Sequence, residues 1–125
     1  VAAPSPSISD AELDVLKELW KSGPSTVKAI HASLRRRKRR WAYNTVATLL
    51  TRLRDKGVVD SERGEGAALV FRSLVTREKL LQSRLAELAD RVCDGTASPL
   101  VHALIYGRKF SPEEIASLRR MVDEL

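Results

Sequence analysis

The chain has 125 residues, of which 43% are hydrophobic and 30% charged, enough for one ordinary domain or a small domain with an appendage. Its longest apolar stretch, Ala97 to Tyr106, is broken by Ser, Pro and His and falls far short of the roughly 20 residues of a membrane span, so no membrane insertion is expected. A single cysteine, Cys93, excludes an internal disulfide and a multi-cysteine metal site, and a cytoplasmic protein is the simplest reading.

The net charge of +6 is unevenly placed. Residues 1–75 carry 14 Lys/Arg against 8 Asp/Glu, whereas residues 76–125 carry 8 of each. A polyanionic partner should therefore meet the first part, and the neutral part should serve another purpose.

Residues 1–7 lack the basic and apolar regions of a signal peptide and read as a flexible arm. Ser9 with Glu12 three residues on forms a capping box that opens the first helix, with Ile8 positioned to staple onto Leu13. Leu13, Leu16, Leu19 and Trp20 form its apolar stripe, and Ser22-Gly23-Pro24 ends it. Ser25 or Thr26 can cap a second helix bearing Val27, Ile30 and Leu34, which runs into six consecutive basic residues, Arg35 to Arg40. A third helix spans about Ala42 to Lys56 on a stripe of Val46, Leu49, Leu50 and Leu53, with Gly57 at the left-handed position after its end. The period then turns strand-like: Val58-Val59 and Leu69-Val70-Phe71 flank a glycine-bearing turn, Glu62 to Gly66. Three helices followed by a hairpin is the order of a winged helix-turn-helix.

From Thr76 the helical period returns. Leu81, Leu85, Leu88 and Val92 alternate spacings of four and three, the rhythm of a helix–helix seam. Asp94-Gly95-Thr96 closes that helix, and a short apolar helix follows around Pro99 to Tyr106. Ser111 caps the last helix, with Pro112 at its first position and a stripe of Ile115, Leu118, Val122 and Leu125. The expected fold is mainly α with a small β-hairpin wing: a winged helix-turn-helix over residues 8–75 and a helical dimerisation segment over 76–125.

If the stripe of the third helix faces inward, steps of about 100° per residue point Asn44, Thr48, Thr51 and Asp55 away from the core. Thr45 and Arg52 flank that face on one side, and Ala47 and Arg54 on the other. Short polar side chains let a helix approach base edges; Asn can pair bidentately with adenine and Thr can touch a thymine methyl. An ordinary solvated face has the same composition, but the adjoining basic run favours a groove reader, since arginines there would release counterions from a duplex. Arg39, Arg40 and Arg54 are the phosphate candidates. Tyr43 has two readings of equal weight, a hydroxyl given to a phosphate or simple packing. Arg63 at the hairpin tip and Arg72 on the returning strand can lie along the backbone or minor groove, though Glu62 and Glu65 weaken that case. Trp41 reads as a core or staple residue, His31 and His102 as structural, and Cys93 as a small buried hydrophobe. No phosphate loop, nucleophile elbow or paired-carboxylate pocket is present in the sequence, so no catalytic activity and no cofactor is expected.

These residues resemble the BlaI/MecI family of penicillinase repressors, to which the CopY copper repressors are related. The likeness runs through Ile8-Ser9-Asp10-Ala11-Glu12-Leu13, Trp20, the segment Asn44 to Leu53, Lys56-Gly57, Asp94-Gly95-Thr96 and Ser111 to Ile115. It implies a homodimer that binds a double-stranded, inverted-repeat operator through the third helix, which singles out Tyr43 for a phosphate and Asn44, Thr45, Thr48 and Arg52 for reading bases. It also implies interlocked C-terminal helices, built here on Leu81, Leu85, Leu88, Val92, Leu104, Ile115, Leu118 and Val122. The family is relieved by cleavage at an Asn-Phe bond under a membrane sensor metalloprotease of the BlaR/MecR type; the corresponding pair here is Ala103-Leu104. Ala42 stands where members often carry a capping Ser, and the Cys-x-Cys pairs of the copper branch are missing. A dimeric operator-binding repressor, of β-lactamase-type or related stress-response genes, is the leading expectation. The alternative is a sequence-neutral architectural or RNA-binding protein living on the arginine run.

Overall fold

The computed structural model describes residues 7–125, so the arm expected at the N-terminus lies outside the described residues except for Ser7. The elements follow in the order α1 (Asp10–Ser22), β1 (Ser25–Thr26), α2 (Val27–Arg36), α3 (Tyr43–Asp55), β2 (Val59–Arg63), β3 (Leu69–Ser73), α4 (Arg77–Val92), α5 (Ser98–Gly107) and α6 (Pro112–Asp123). Two compact units divide the chain, one reaching Ser83 and the other running from Arg84. The boundary thus falls inside α4, several residues after the change of period at Thr76, because Leu80 still packs on the core of the first unit.

That core is a single cluster. Val15, Leu16 and Leu19 of α1, Ile30 and Leu34 of α2, and Val46, Leu49, Leu50 and Leu53 of α3 close over Val58, Val59 and Phe71. The stripe expected on α3 is buried in full. On α1 the buried side is rotated slightly from the expected one: Val15 is fully enclosed, while Leu13 and Trp20 are half-buried. Trp20 lies at the edge because its indole Nε1 donates to Ser73 Oγ at 3.1 Å and to the Val75 carbonyl at 2.9 Å, as a half-buried indole N–H requires.

Local chemistry sets the helix ends. Ser9 and Glu12 form the capping box of α1, and Thr26 Oγ1 accepts from the Ala29 N–H to cap α2. Ala42 gives α3 no side-chain cap. Both α2 and α3 end in Schellman motifs: the Arg39 and Lys38 amides donate to the Leu34 and Arg35 carbonyls, and the Val58 and Gly57 amides to those of Leu53 and Arg54. The left-handed position is Gly57 (φ 79°) after α3 but Lys38 (φ 65°) after α2, where a Cβ meets steric resistance.

The hairpin pairs Val59 with Ser73 through Arg63 with Leu69, around a short 3-10 turn at Glu65–Ala67 in which Gly66 takes φ 69°. A third strand, β1, adds to the other edge of β3 with Ser25 opposite Phe71 and Thr26 opposite Val70. It was not expected from the sequence, since two residues carry no periodicity.

A cationic clamp fixes the end of α3 to the start of α1. Lys56 Nζ donates to Glu12 Oε1 at 2.7 Å and to the Ser7 carbonyl at 2.6 Å. Glu12 is 3% exposed. Burial raises its carboxyl pKa, but hydrogen bonds from Lys56 and Ser9 and the Lys56 charge outweigh burial and leave it below the ordinary carboxylate value.

The second unit is built differently. Among residues 84–125 only Ala89 is buried. Asp94 (φ 54°) and Gly95 (φ 84°) turn the chain out of α4, and Ser111 with Glu114 makes a full capping box for α6. Cys93, expected as a buried small hydrophobe, is only half-buried, because little of this unit covers the end of α4. No helix among the described residues is long and apolar enough to cross a membrane.

The helix ends and the clamp each have a measurable effect on stability. Lys38→Gly should stabilise by a few tenths to about 1 kcal/mol in urea unfolding, and Gly57→Ala should destabilise by about 1 kcal/mol. Lys56→Gln should lower stability by about 2 kcal/mol at neutral pH. The Glu12 pKa is depressed in the native state, so its contribution is complete above the ordinary carboxylate value of about 4 and is lost as pH falls through the depressed one. The difference between wild type and Lys56→Gln should therefore close on acidification, measured by urea unfolding across that range.

Candidate nucleic-acid interface

Because Val46, Leu49, Leu50 and Leu53 are locked into the core, the rotation of α3 about its axis is fixed. Asn44, Thr45, Thr48, Thr51, Arg52 and Asp55 are all exposed, as is Arg54. All four residues expected to read bases therefore lie on accessible surface of one helix. Thr48 Oγ1 donates to the Asn44 carbonyl and Thr51 Oγ1 to the Ala47 carbonyl, each at 2.9 Å. With its proton committed to the backbone, Thr48 can offer a base only its methyl group and an acceptor lone pair. That suits a thymine methyl or an exocyclic amino group and disfavours a base acceptor.

The approach to α3 is held by His31. Its Nε2 lies 2.9 Å from the Trp41 carbonyl, and its ring meets Tyr43 edge-on with centroids 5.9 Å apart. This arrangement orders the entry to a helix that has no side-chain cap. Trp41 is half-buried against the core, as expected, with the Arg39 guanidinium 5.3 Å above its ring. Tyr43 is 49% exposed, which leaves its hydroxyl accessible.

The basic residues differ in how free they are. Arg39 pairs with Asp14 at 2.7 Å, and Arg37 with Glu18 at 3.1 Å. Arg35, Arg36, Lys38 and Arg40 are exposed, with no ion pair among the described residues. Arg54 Nη1 donates to Ser61 Oγ at 3.0 Å, tying α3 to β2. Arg72 is held in a bidentate pair by Asp60 directly across the hairpin, at 2.7 and 2.9 Å. The Arg72 hydrogen bonds keep the Asp60 carboxyl below its usual range and raise the arginine in return. Arg63, at the end of β2, is exposed and has no such pair. The structure thus gathers Asn44, Thr45, Thr48, Arg52 and Arg54 on α3 and Arg39, Arg40 and Tyr43 before or at its start; Arg63 and Arg72 stand on the hairpin.

Sequence reasoning missed three contributors. Glu12 was visible only as a capping residue, His31 only as a generic structural residue, and Glu18 as nothing in particular. The 4-residue spacing of Asp14 and Glu18 places both on one side of α1, which was the one available signal that α1 could receive two residues of the arginine run.

The family model described as penicillinase repressor matches residues 8–124. The penicillinase repressor of Bacillus licheniformis is 28% identical over 119 residues, covering 95% of this chain and 91% of that protein. The methicillin resistance regulatory protein MecI of Mammaliicoccus sciuri is 26% identical over 117 residues, 94% of each. The solution structure of monomeric Bacillus licheniformis BlaI in complex with the blaP half-operator matches with a TM-score of 0.50 and 31% identity, over 60% of this chain and 89% of that one.

Proposed function

The chain belongs to the penicillinase repressor family, a family of DNA-binding transcriptional repressors, and on that premise we propose that it acts as a dimer on a palindromic operator. Asn44, Thr45, Thr48 and Arg52 enter the major groove, and Arg39, Arg40, Tyr43, Arg54, Arg63 and Arg72 lie along the phosphates. The observation that carries this reading is the division of α3 into one fully buried apolar side and one exposed side of short polar residues and arginine. That the BlaI structure holds a half-operator supports the assignment of a duplex as the ligand.

Dimerisation is supported by what the single chain leaves uncovered. Leu81, Leu85, Leu88 and Val92 on α4, Leu104 on α5, and Ile115, Leu118 and Val122 on α6 are all exposed. Two such rows of large aliphatic side chains in water would be costly in a monomer, at roughly 1.5–3 kcal/mol for each side chain left unburied. A second copy of the same segment would bury them about a two-fold axis and set two α3 helices at half-sites about one helical turn apart.

Relief by proteolysis belongs to the same reading. Ala103 and Leu104 lie within α5 and are exposed in the single chain. A cut there, by a sensor metalloprotease of the BlaR/MecR type able to accept Ala-Leu, would separate the row on α4 from the row on α6. The regulated genes would be of the β-lactamase or a related stress-response kind, and the protein would work in the cytoplasm.

Asn44→Ala or Thr48→Ala should cost about 1–3 kcal/mol of affinity at one base position of the selected operator and leave binding to random duplex unchanged. Equal loss on every sequence, or none on any, would instead favour a sequence-neutral nucleic-acid binder. Leu118→Asp should give a monomer in sedimentation analysis and lower operator affinity by at least about tenfold while residues up to Ser83 stay folded. A dimer that persists in that variant would remove the α6 row from the interface.

A further inference from the structure

Two arginines of the basic run are turned toward α1, and they meet carboxylates in different surroundings. Arg39 pairs with Asp14, whose side chain is 24% exposed. Arg37 pairs through Nε with Glu18 Oε1, and Glu18 is 1% exposed. The other oxygen of Glu18 accepts the hydroxyl proton of Ser33, which is itself buried in α2. The more exposed Asp14 can be rehydrated when Arg39 leaves it, so that pair can be exchanged for a phosphate with little loss. Glu18, 1% exposed beneath Arg37, has almost no solvent contact of its own. A carboxylate buried to this degree requires its cation, and removing that cation strands a charge in the core.

We infer that Glu18 is a positioning residue for the DNA interface, and that Arg37 is its structural partner, not one of the phosphate-binding arginines of its own run. This rests on the reading of the chain as a duplex binder. Arg37 is the residue that closes α2, directly before Lys38 in its left-handed conformation. The clasp of Glu18, Ser33 and Arg37 therefore holds α1, the last turn of α2 and the strained residue together, and so aims the segment that leads into α3. As a unit, the Glu18–Arg37 pair carries no net charge and should release few counterions, whereas Arg39 and Arg40 should each release their share.

The test uses the full chain and a fluorescent duplex of random sequence long enough for two half-sites, with affinity measured across a range of salt concentrations. Arg39→Gln and Arg40→Gln should each reduce the slope of log affinity against log salt by about one unit for each phosphate no longer neutralised, with unchanged melting temperature. Arg37→Gln should lower both the melting temperature and the affinity, the latter by at least about tenfold. The double variant Glu18→Gln with Arg37→Gln removes the stranded charge, keeps a hydrogen-bonding group for Ser33, and should return melting temperature and affinity to within about threefold of wild type, with an unchanged slope. Failure of the double variant to recover, or a slope reduced as much as in Arg40→Gln, overturns the inference and makes Arg37 a phosphate ligand. A single Arg37→Gln variant as stable and as tight as wild type overturns it as well. Absence of salt-dependent duplex binding by the wild-type protein would count against the repressor reading itself, and the melting temperatures would still decide the clasp.

Discussion

The surface that this protein can offer a duplex depends on one packing constraint, the complete burial of Val46, Leu49, Leu50 and Leu53 against α1 and α2. Each residue along a helix is turned by about 100° from the last, so a slip of one position would carry Asn44 and Thr48 off the exposed face and Val46 onto it. The exclusion of four aliphatic side chains from water holds the rotation more firmly than any polar interaction on the helix could. The direction of the polar face is fixed because the apolar face has no alternative.

Around that core, charge is used to tie the two ends of α3 to α1. Lys56 carries the C-terminal end to Glu12, and Arg37 and Arg39 carry the preceding segment to Glu18 and Asp14. Two of these carboxylates, Glu12 and Glu18, are almost fully enclosed, and in such surroundings an ion pair resists separation more than it adds to stability. The basic run is accordingly not a uniform electrostatic patch. Arg37 and Arg39 are tied to carboxylates of α1, and Arg35, Arg36, Lys38 and Arg40 carry their charge at the surface with no ion pair among the described residues.

The second unit follows the opposite logic. A capping box opens α6 and left-handed residues follow α4, while α5 has no side-chain cap, and the aliphatic rows of α4 and α6 remain in solvent. Secondary structure here is locally satisfied while tertiary burial is not, which is the condition under which association with another copy becomes favourable.

The order of helices and hairpin, the caps at Ser9 and Ser111, the turn at Gly57 and the two sides of α3 were all legible in the amino-acid sequence. Each is written by residues a few positions apart, through helical period, cap chemistry and the steric freedom of glycine, and the resemblance to a repressor family rests on those same segments. The tertiary structure alone decided that β1 joins the sheet against Phe71, that Val15 rather than Leu13 is fully enclosed, and that His31 orders the entry to α3. It alone distributed the arginines between carboxylate partners and solvent. Those outcomes depend on groups brought together across long intervals of chain, such as Lys56 with Glu12 and Arg37 with Glu18. A pattern of near neighbours carries no information about which distant charge a folded core will place beside it.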